Sequence, residues 1–310
     1  MITVDNLTKR FGPFTAVDGL SFTVKPGEVL GFLGPNGAGK STTMKMITGF
    51  LAPTSGQVTV YGHNTLDDSL NARKIMGYLP EGAPSYGDMT PLKFLRFIGE
   101  VRGFRGAELT QRVQSVVDAL QLESVLNQTI ETLSKGFKRR VGLAQAIIHD
   151  PKVLVLDEPT DGLDPNQKHE VRKLIQNLSK DKIVIVSTHI LEEVSAVCTR
   201  AMIIAGGKLL VDDTPQALEA RSRFHGAIQL VLTHAEGALE QLQALEGVKS
   251  VELSESGLSL TVFPEVGASL FLPINDLLQK NNWEVHEFHV EKGKLDDVFR
   301  AITHGGSVNE

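Results

Sequence analysis

The chain has 310 residues, 41% of them hydrophobic, which is enough for one large domain and a small one, or for two medium domains. Its 31 basic and 37 acidic side chains give a net charge of -6, so there is no overall basic excess for coating nucleic acid, and we expect no nucleic-acid partner. The single cysteine, Cys198, excludes an internal disulfide and fits a reducing compartment.

The N-terminus and the apolar runs indicate where in the cell the chain is expected. Residues 1–5 lack the basic-then-apolar pattern of a secretory signal. No apolar run approaches the ~20 residues needed to cross a bilayer. We therefore expect a soluble, cytoplasmic chain, and any membrane role would come through a partner.

The first two thirds of the sequence alternate short apolar runs with helical patterns. Continuous apolar runs are typical of parallel strands that are covered on both faces. The predicted strands lie at residues 29–33, 75–79, 153–156, 183–187 and 201–205, and the predicted helices at 40–47 and 167–178. This alternation predicts an α/β core over residues 1–220.

Residues 90–148 differ from the rest of this core. They are rich in helix formers, and apolar side chains recur there at helical spacing, in Val113, Val116, Val117 and Leu120. We predict that this stretch is a helical subdomain inserted in the core.

Residues 221–310 are predicted to form a C-terminal accessory domain. Its strands are expected at residues 227–232, 248–253, 258–263 and 283–290, and its helices at 237–245, 270–279 and 295–303. The order β-α-β-β-α-β, with one more helix after it, predicts a small α+β ferredoxin-like fold.

A glycine-rich loop follows the first predicted core strand. Residues 34–41 fit the pattern G-x-x-x-x-G-K-[ST], between a strand and a helix. Glycines permit positive φ and let backbone N–H groups surround phosphate oxygens, and the helix adds the positive end of its dipole. Lys40 would reach the β- and γ-phosphates, and Ser41 would ligate Mg²⁺. The predicted phosphate-binding residues are Gly34, Pro35, Asn36, Gly37, Ala38, Gly39, Lys40 and Ser41.

Two carboxylates follow the apolar run 153–156. Ligands of open α/β sheets bind beyond the C-terminal ends of the strands, which is where Asp157 and Glu158 would lie. Alone, this pattern would indicate a solvated strand end. Beside a phosphate loop, it predicts that Asp157 holds Mg²⁺ or its waters and that Glu158 is the general base.

Two further strand ends point to the same edge. The run 183–186 leads to Ser187, Thr188 and His189, and the run 75–79 leads to Pro80 and Glu81. A lone histidine is more often structural or on the surface. At a strand end beside a phosphate site, His189 can instead contact the γ-phosphate or the attacking water.

Another helix start, at Ser134 and Gly136, could face an anion. Spacing alone favours an ordinary capped helix there. The basic residues Lys138, Arg139 and Arg140 that follow would by default lie on a solvated helix face.

Taken together and in this order, the motifs resemble those of the nucleotide-binding subunits of ABC transporters. Residues 34–42 resemble the Walker A motif, and this resemblance adds Thr42 to the predicted phosphate-binding residues. Residues 156–158 resemble the Walker B motif with its catalytic Glu. Residues 133–137 resemble the ABC signature and residues 162–164 the D-loop, which adds Asp164 to the nucleotide site. His189 is similar to the family's switch histidine, and Phe11 to the aromatic residue that stacks on adenine.

The resemblance implies a P-loop ATPase that uses ATP and Mg²⁺ and works as a dimer. In this family, each ATP is clamped between one subunit's Walker A loop and the other's signature loop, so Ser134 and Gly136 would act in trans. A chain with one copy of each motif would form a homodimer. Its closing and opening would drive an integral membrane permease, which places the protein on the inner face of the membrane.

Four residues depart from the family pattern. Glu81 stands where the family usually has Gln, and its carboxylate could ligate Mg²⁺. Lys135 and Phe137 replace the usual Gly and Gln of the signature. Asp161 stands where a small polar residue is common.

Residues 77–81 and the C-terminal extension are similar to those of ABC-2-type exporters, including the drug-export and gliding-motility groups. The sequence therefore predicts an ATPase subunit that powers a separate ABC-2-type exporter. The alternative is a soluble ABC ATPase that acts on ribosomes or DNA. A small-molecule P-loop kinase is disfavoured by the signature loop and His189.

Overall fold

The computed structural model describes residues 1–83, 85–234, 237–254, 257 and 259–303. The chain divides into two compact units, Met1–Thr214 and Pro215–Glu310. The division comes earlier than the predicted residue 220. The cause is a short helix, Pro215–Glu219, which packs within the second unit against the C-terminal helix Leu295–Thr303.

The first unit contains two sheets and seven helices among the described residues. Its strands are β1 (Ile2–Phe11), β2 (Phe14–Val24), β3 (Val29–Leu33), β4 (Ser55–Val60), β5 (His63–Asn64), β6 (Met76–Leu79), β7 (Val153–Asp157), β8 (Ile183–Ser187), β9 (Arg200–Ala205) and β10 (Lys208–Asp213). Its helices are α1 (Lys40–Ile47), α2 (Ser69–Lys74), α3 (Pro91–Val101), α4 (Gly106–Leu120), α5 (Lys135–Ile147), α6 (Pro165–Leu178) and α7 (Leu191–Val197).

The central sheet has the strand order β10-β9-β3-β8-β7-β6. Its strands β9, β3, β8, β7 and β6 are parallel, and β10 joins the edge antiparallel to β9. Every residue of β3, β7 and β8 is buried. The prediction of parallel strands covered on both faces is confirmed.

The second sheet, β2-β1-β4-β5, is antiparallel and was not predicted. Its pairing is interrupted by three register shifts between β1 and β2. Leu20, Phe22 and Val24 are nevertheless buried in alternation with exposed residues along the second half of β2. It packs against the central sheet in one core, where the rings of Phe22 and Phe32 have centroids 5.8 Å apart.

The helical subdomain is made of α3, α4 and α5, with two 3-10 turns, Glu123–Val125 and Ile130–Thr132, between α4 and α5. Helix α3 begins where Thr90 accepts a hydrogen bond from the Lys93 N–H, with Pro91 in the first turn. The four predicted apolar positions of α4 are all buried.

The second unit contains α8 (Pro215–Glu219), β11 (Ile228–Leu232), α9 (Ala238–Gln243), β12 (Val248–Leu253), β13 (Ser259–Pro264), α10 (Phe271–Lys280), β14 (Val285–Val290) and α11 (Leu295–Thr303). Its antiparallel sheet has the order β12-β13-β11-β14. The predicted order of strands and helices is confirmed. Leu258, predicted to begin the third strand, lies outside the described residues.

Within the described ranges, no helix combines the length and the apolar character needed to span a bilayer.

Candidate nucleotide site

The predicted site residues of the core follow the C-terminal ends of adjacent parallel strands. Strand β3 leads into the glycine-rich loop, β8 into Thr188 and His189, β7 into Glu158, and β6 into Glu81. Ser187 is in register with Phe32 on one side and with Asp157 on the other. The edge where open α/β sheets bind ligands therefore carries all four predicted segments.

The glycine-rich loop has the backbone geometry that its glycines allow. Gly37 and Gly39 have φ of 79° and 103°, in the region that side chains rarely adopt. A Cβ atom on Gly34 would collide with the carbonyl oxygen of Ile204, and one on Gly39 with that of Ala16. In the described part of the chain, no side chain caps the start of α1, so the first N–H groups of this helix can donate hydrogen bonds to a phosphate.

Lys40 lies inside this loop and is only 8% exposed. Its ammonium group donates hydrogen bonds to the carbonyl oxygens of Gly34, at 2.6 Å, and Pro35, at 3.1 Å. Burial lowers the pKa of Lys40, while the negative charges of Glu158, Asp157 and Glu81 act in the opposite direction. A cation held among those carboxylates at a helix N-terminus is suited to bind phosphate.

Asp157 is 1% exposed, and its two carboxylate oxygens differ. Oδ1 accepts a hydrogen bond from the Ser187 hydroxyl, whereas Oδ2 is buried without a hydrogen-bond partner among the described residues. An unpaired buried carboxylate oxygen is costly unless a cation completes it. The donor set of Asp157 with the half-buried Ser41 hydroxyl therefore fits Mg²⁺, which takes few protein oxygens and several from water and phosphate.

A metal site of the usual kind is not seen elsewhere in the described ranges. Among the described residues, no group of three or more His, Cys, Asp or Glu side chains is arranged to hold a metal. Glu81, the third predicted ligand, is exposed. Its charge is near enough to act on the pKa of Lys40.

Glu158 is held in an unusual conformation at the end of β7. Its φ is 52°, and its N–H donates to the Ser187 carbonyl oxygen at 3.0 Å. Its Oε2 lies 2.9 Å from the Nδ1 atom of His189. Burial raises the pKa of Glu158, and the hydrogen bond and charge of His189 lower it. A carboxylate with a raised pKa is well matched to accept a proton near neutral pH.

A further carboxylate near the site, Glu193 on α7, was not identified from the sequence. It is buried and accepts hydrogen bonds from the hydroxyls of Thr160, in the segment after Glu158, and of Thr188, next to His189. The Thr188 contact is 3.1 Å long. Glu193 thus ties together the two segments that carry the Glu158–His189 pair.

The predicted signature residues lie at the start of α5, where the Ser134 hydroxyl accepts a hydrogen bond from the Phe137 N–H at 3.3 Å. Gly136 is buried, and the atoms nearest to a Cβ built on it belong to Gln167, Gly162 and Leu163. The structure therefore brings the signature turn together with the D-loop of the same chain.

The basic residues after the signature turn do not all lie on a solvated face. Arg139 and Arg140 are buried, at 4% and 6% exposure, so the default expectation was wrong for these two. Arg140 donates to the carbonyl oxygens of Leu120, at 3.0 Å, and Gln121, at 3.2 Å, at the end of α4. These acceptors are distant in sequence and could not be read from the local pattern.

Phe11 and Asp164 occupy positions compatible with their predicted roles. Phe11 is 49% exposed at the end of β1, paired with the exposed Phe14 on β2. Strand β2 also carries Ala16, which contacts the phosphate loop at Gly39. Asp164 caps α6, accepting a hydrogen bond from the Gln167 N–H at 2.9 Å.

Comparison with known proteins gives the family. Residues 17–161 match the ABC transporter family. The "Uncharacterized ABC transporter ATP-binding protein YxlF" of Bacillus subtilis (strain 168) is 32% identical over 304 residues, which cover 98% of this chain and 100% of that protein. The chain belongs to the ABC transporter ATP-binding proteins. It has their α/β P-loop core and contains their ATPase cassette.

Other members of the family are similar over different lengths. The "Bacitracin transport ATP-binding protein BcrA" of Bacillus licheniformis is 30% identical, over 99% of each chain. The "Probable multidrug ABC transporter ATP-binding protein YbhF" of Escherichia coli (strain K12) is 41% identical over 72% of this chain. The chain spans only 38% of the length of YbhF.

Two solved ABC structures match the cassette. One, described as the ATP-binding subunit of an ABC transporter, has a TM-score of 0.66 and 28% identity, covering 71% of this chain and 92% of that one. The other is a dimeric ATP-binding cassette in a post-hydrolysis state, bound to ADP and Pi. It has a TM-score of 0.65 and 26% identity, covering 69% of this chain and 99% of that one.

Proposed function

We propose that this chain is the ATP-hydrolysing subunit of an ABC-2-type exporter whose permease is a separate integral membrane protein. The observation that carries the ATP-hydrolysing role is the Glu158–His189 pair next to Asp157, on the sheet edge that also carries the phosphate loop. The export direction is supported by the names of two relatives. One is the bacitracin transport protein BcrA, and the other is the "Linearmycin resistance ATP-binding protein LnrL" of Bacillus subtilis (strain 168), which is 33% identical over 84% of this chain. In this proposal the chain is cytoplasmic and attaches to the inner face of the membrane through the permease.

The site residues divide the chemistry of ATP hydrolysis among them. The loop N–H groups and Lys40 bind and orient the phosphates. Glu158 accepts a proton from the water that attacks the γ-phosphorus, as the bond to the β–γ bridging oxygen breaks and ADP and phosphate form. His189 holds the Glu158 carboxylate and would contact the γ-phosphate.

Mg²⁺ would be held by Ser41 and Asp157, with Glu81 as a third ligand. Once bound, it supplies positive charge that neutralises the phosphate oxygens. Phe11 would stack on the adenine, and its half-exposed ring is accessible for that contact.

The working unit is proposed to be a homodimer with two composite sites. Ser134 caps a helix N-terminus that can face an anion, and one of the solved relatives is a dimeric cassette bound to ADP and Pi. Ser134, Gly136 and Asp164 of one copy would complete the nucleotide site of the other. ATP would close the dimer, and hydrolysis would open it.

Purification of the tagged full chain from detergent-solubilised membranes of its source cells tests the permease. We expect an integral membrane protein to copurify at a constant ratio, and ATPase activity in the complex. Recovery with ribosomes or DNA and without any membrane protein would overturn the exporter proposal in favour of the soluble alternative.

A further inference from the structure

Arg139 lies on α5, in the second turn after the signature residue Ser134, with its guanidinium buried beneath the sheet edge. Its Nη1 atom is 3.4 Å from the carbonyl oxygen of Pro80 and 3.3 Å from that of Asp157. Its Nη2 atom is 3.4 Å from Oδ2 of Asp161. One buried cation thus binds two stretches of the chain, the residue that follows β6 and the turn from Asp157 to Asp161.

Each of the three acceptors lies beside a residue of the proposed site. Pro80 precedes Glu81, Asp157 holds the metal position and precedes Glu158, and Asp161 precedes the D-loop. A buried guanidinium is tolerated only where acceptors satisfy it, and its planar fork fixes the geometry of those acceptors. The relative positions of these two stretches therefore depend on Arg139.

Helix α5 is also packed closely on the strand that leads to Glu81. A Cβ atom on Gly77 of β6 would collide with the carbonyl oxygen of Ala146, and one on Gly142 would lie 2.8 Å from Leu79. The Gln145 side chain donates to the Tyr78 carbonyl oxygen at 2.7 Å. A displacement at the start of α5 is therefore passed to the strand end, because neither element has space to move independently.

We propose that Arg139 is a positioning residue that couples the two composite ATP sites of the dimer. Ser134 contacts the nucleotide bound by the partner, whereas Glu158 of the same chain serves the nucleotide bound by its own loop. Arg139 joins helix α5, which begins after Ser134, to the end of the strand that leads to Glu158. Occupation of one site thereby sets the position of the general base in the other. This inference rests on the proposed dimeric function.

The test measures steady-state ATP hydrolysis by the full chain against ATP concentration, for the parent, Arg139→Gln and Lys138→Gln. Lys138 is the matched control, since it is the next cation on α5 and its Nζ binds the Glu131 carbonyl oxygen instead of a strand end. For Arg139→Gln we expect the Hill coefficient to fall from above one to about one and kcat to fall about tenfold, the size of a typical coupling between sites. Affinity for ADP should change less than about twofold, because Lys40 and its loop are untouched.

Two milder variants keep the test decisive if Arg139→Gln does not fold. Arg139→Lys keeps the charge but cannot span three acceptors, and Asp161→Ser removes only the carboxylate. Both should lower the Hill coefficient, and Asp161→Ser should have no additional effect when combined with Arg139→Lys if the two residues act as one unit.

The outcomes separate this inference from the proposed function. A parent that does not hydrolyse ATP contradicts the proposed function itself, whereas a parent that hydrolyses ATP with a Hill coefficient of one overturns the coupling of the two sites. A cooperative parent whose Arg139→Gln, Arg139→Lys and Asp161→Ser variants keep the parental Hill coefficient overturns the coupling role of Arg139 alone. The coupling role is overturned in that case even if kcat and the melting temperature both fall, because a purely structural role of Arg139 would also lower kcat and the melting temperature.

Discussion

The Nδ1 atom of His189 lies 2.9 Å from Oε2 of Glu158, so the proposed general base is oriented by a side chain from the neighbouring strand end. The contact joins two residues 31 positions apart in sequence. Because burial raises the pKa of Glu158 and His189 lowers it, the pair sets the pH at which the base becomes available.

His189→Ala is therefore expected to shift the pH profile of ATP hydrolysis. Only the ionised Glu158 accepts a proton, so activity should rise as pH increases through its raised pKa. Removing the His189 contact takes away a cause that lowers this pKa, so the acidic limb of log kcat against pH should move to higher pH and maximal kcat should fall. The comparison is the position of that limb in the two proteins with saturating ATP and Mg²⁺. An unchanged limb in an active variant would show that His189 does not control the protonation of Glu158.

Asp157→Asn tests the metal assignment. The unpaired buried Oδ2 of Asp157 should destabilise the protein until a cation binds, and the amide should lose the affinity for Mg²⁺. In thermal unfolding, the parent should gain more stability from ATP with Mg²⁺ than from ATP with EDTA, and the variant should show little difference between the two. If Asp157→Asn gains as much thermal stability from Mg²⁺ as the parent does, the metal is bound elsewhere. Glu81→Gln, measured in parallel, reports whether the exposed carboxylate is a ligand.

Lys40→Ala should abolish nucleotide binding. A charge-assisted contact buried in the loop is lost, which corresponds to a fall in affinity of about 100-fold or more. Titration with a fluorescent ATP analogue measures it, with Lys45→Ala in the last turn of the same helix as the control. Near-parental affinity in Lys40→Ala would show that the loop does not hold the phosphates through this side chain.

Glu193→Gln should affect both stability and turnover. An amide in place of the buried carboxylate leaves the hydroxyl of Thr160 or Thr188 poorly paired, at a cost of about 1–3 kcal/mol. Turnover should fall because both segments that carry Glu158 and His189 lose their common anchor. Chemical denaturation and kcat are compared with those of Glu192→Gln, whose side chain is exposed. Equal stability of the two variants would contradict the anchoring role.

Much of the fold followed from local patterns. Helix α1 begins at Lys40 and strand β8 ends at Ser187, as predicted, because a glycine-rich turn and an uninterrupted apolar run set those limits locally. The end of strand β7, where Asp157 and Glu158 lie, was predicted for the same reason. The antiparallel sheet was not predicted, although Leu20, Phe22 and Val24 are buried in alternation with exposed residues along β2. That alternation is the signal from which the strand could have been identified.

What the sequence did not reveal depends on partners distant along the chain. Arg139 has an acceptor 59 positions away in Pro80, and Glu193 has a donor 33 positions away in Thr160. In the sequence, Arg139 looks like one of three exposed cations on a helix. Only the folded chain shows that its guanidinium is buried against the strand ends of the nucleotide site.

The composite-site ATPase is tested most directly by Glu158→Gln. Because binding survives while the base is lost, ATP with Mg²⁺ should hold this variant as a closed dimer, and ATP turnover should fall by about 100-fold, within the range for loss of general-base catalysis. The measurement is the molar mass in solution by light scattering, with and without ATP, alongside the rate of phosphate release. We expect twice the chain mass only with ATP. A monomer in saturating ATP, or hydrolysis at the parental rate, would contradict it.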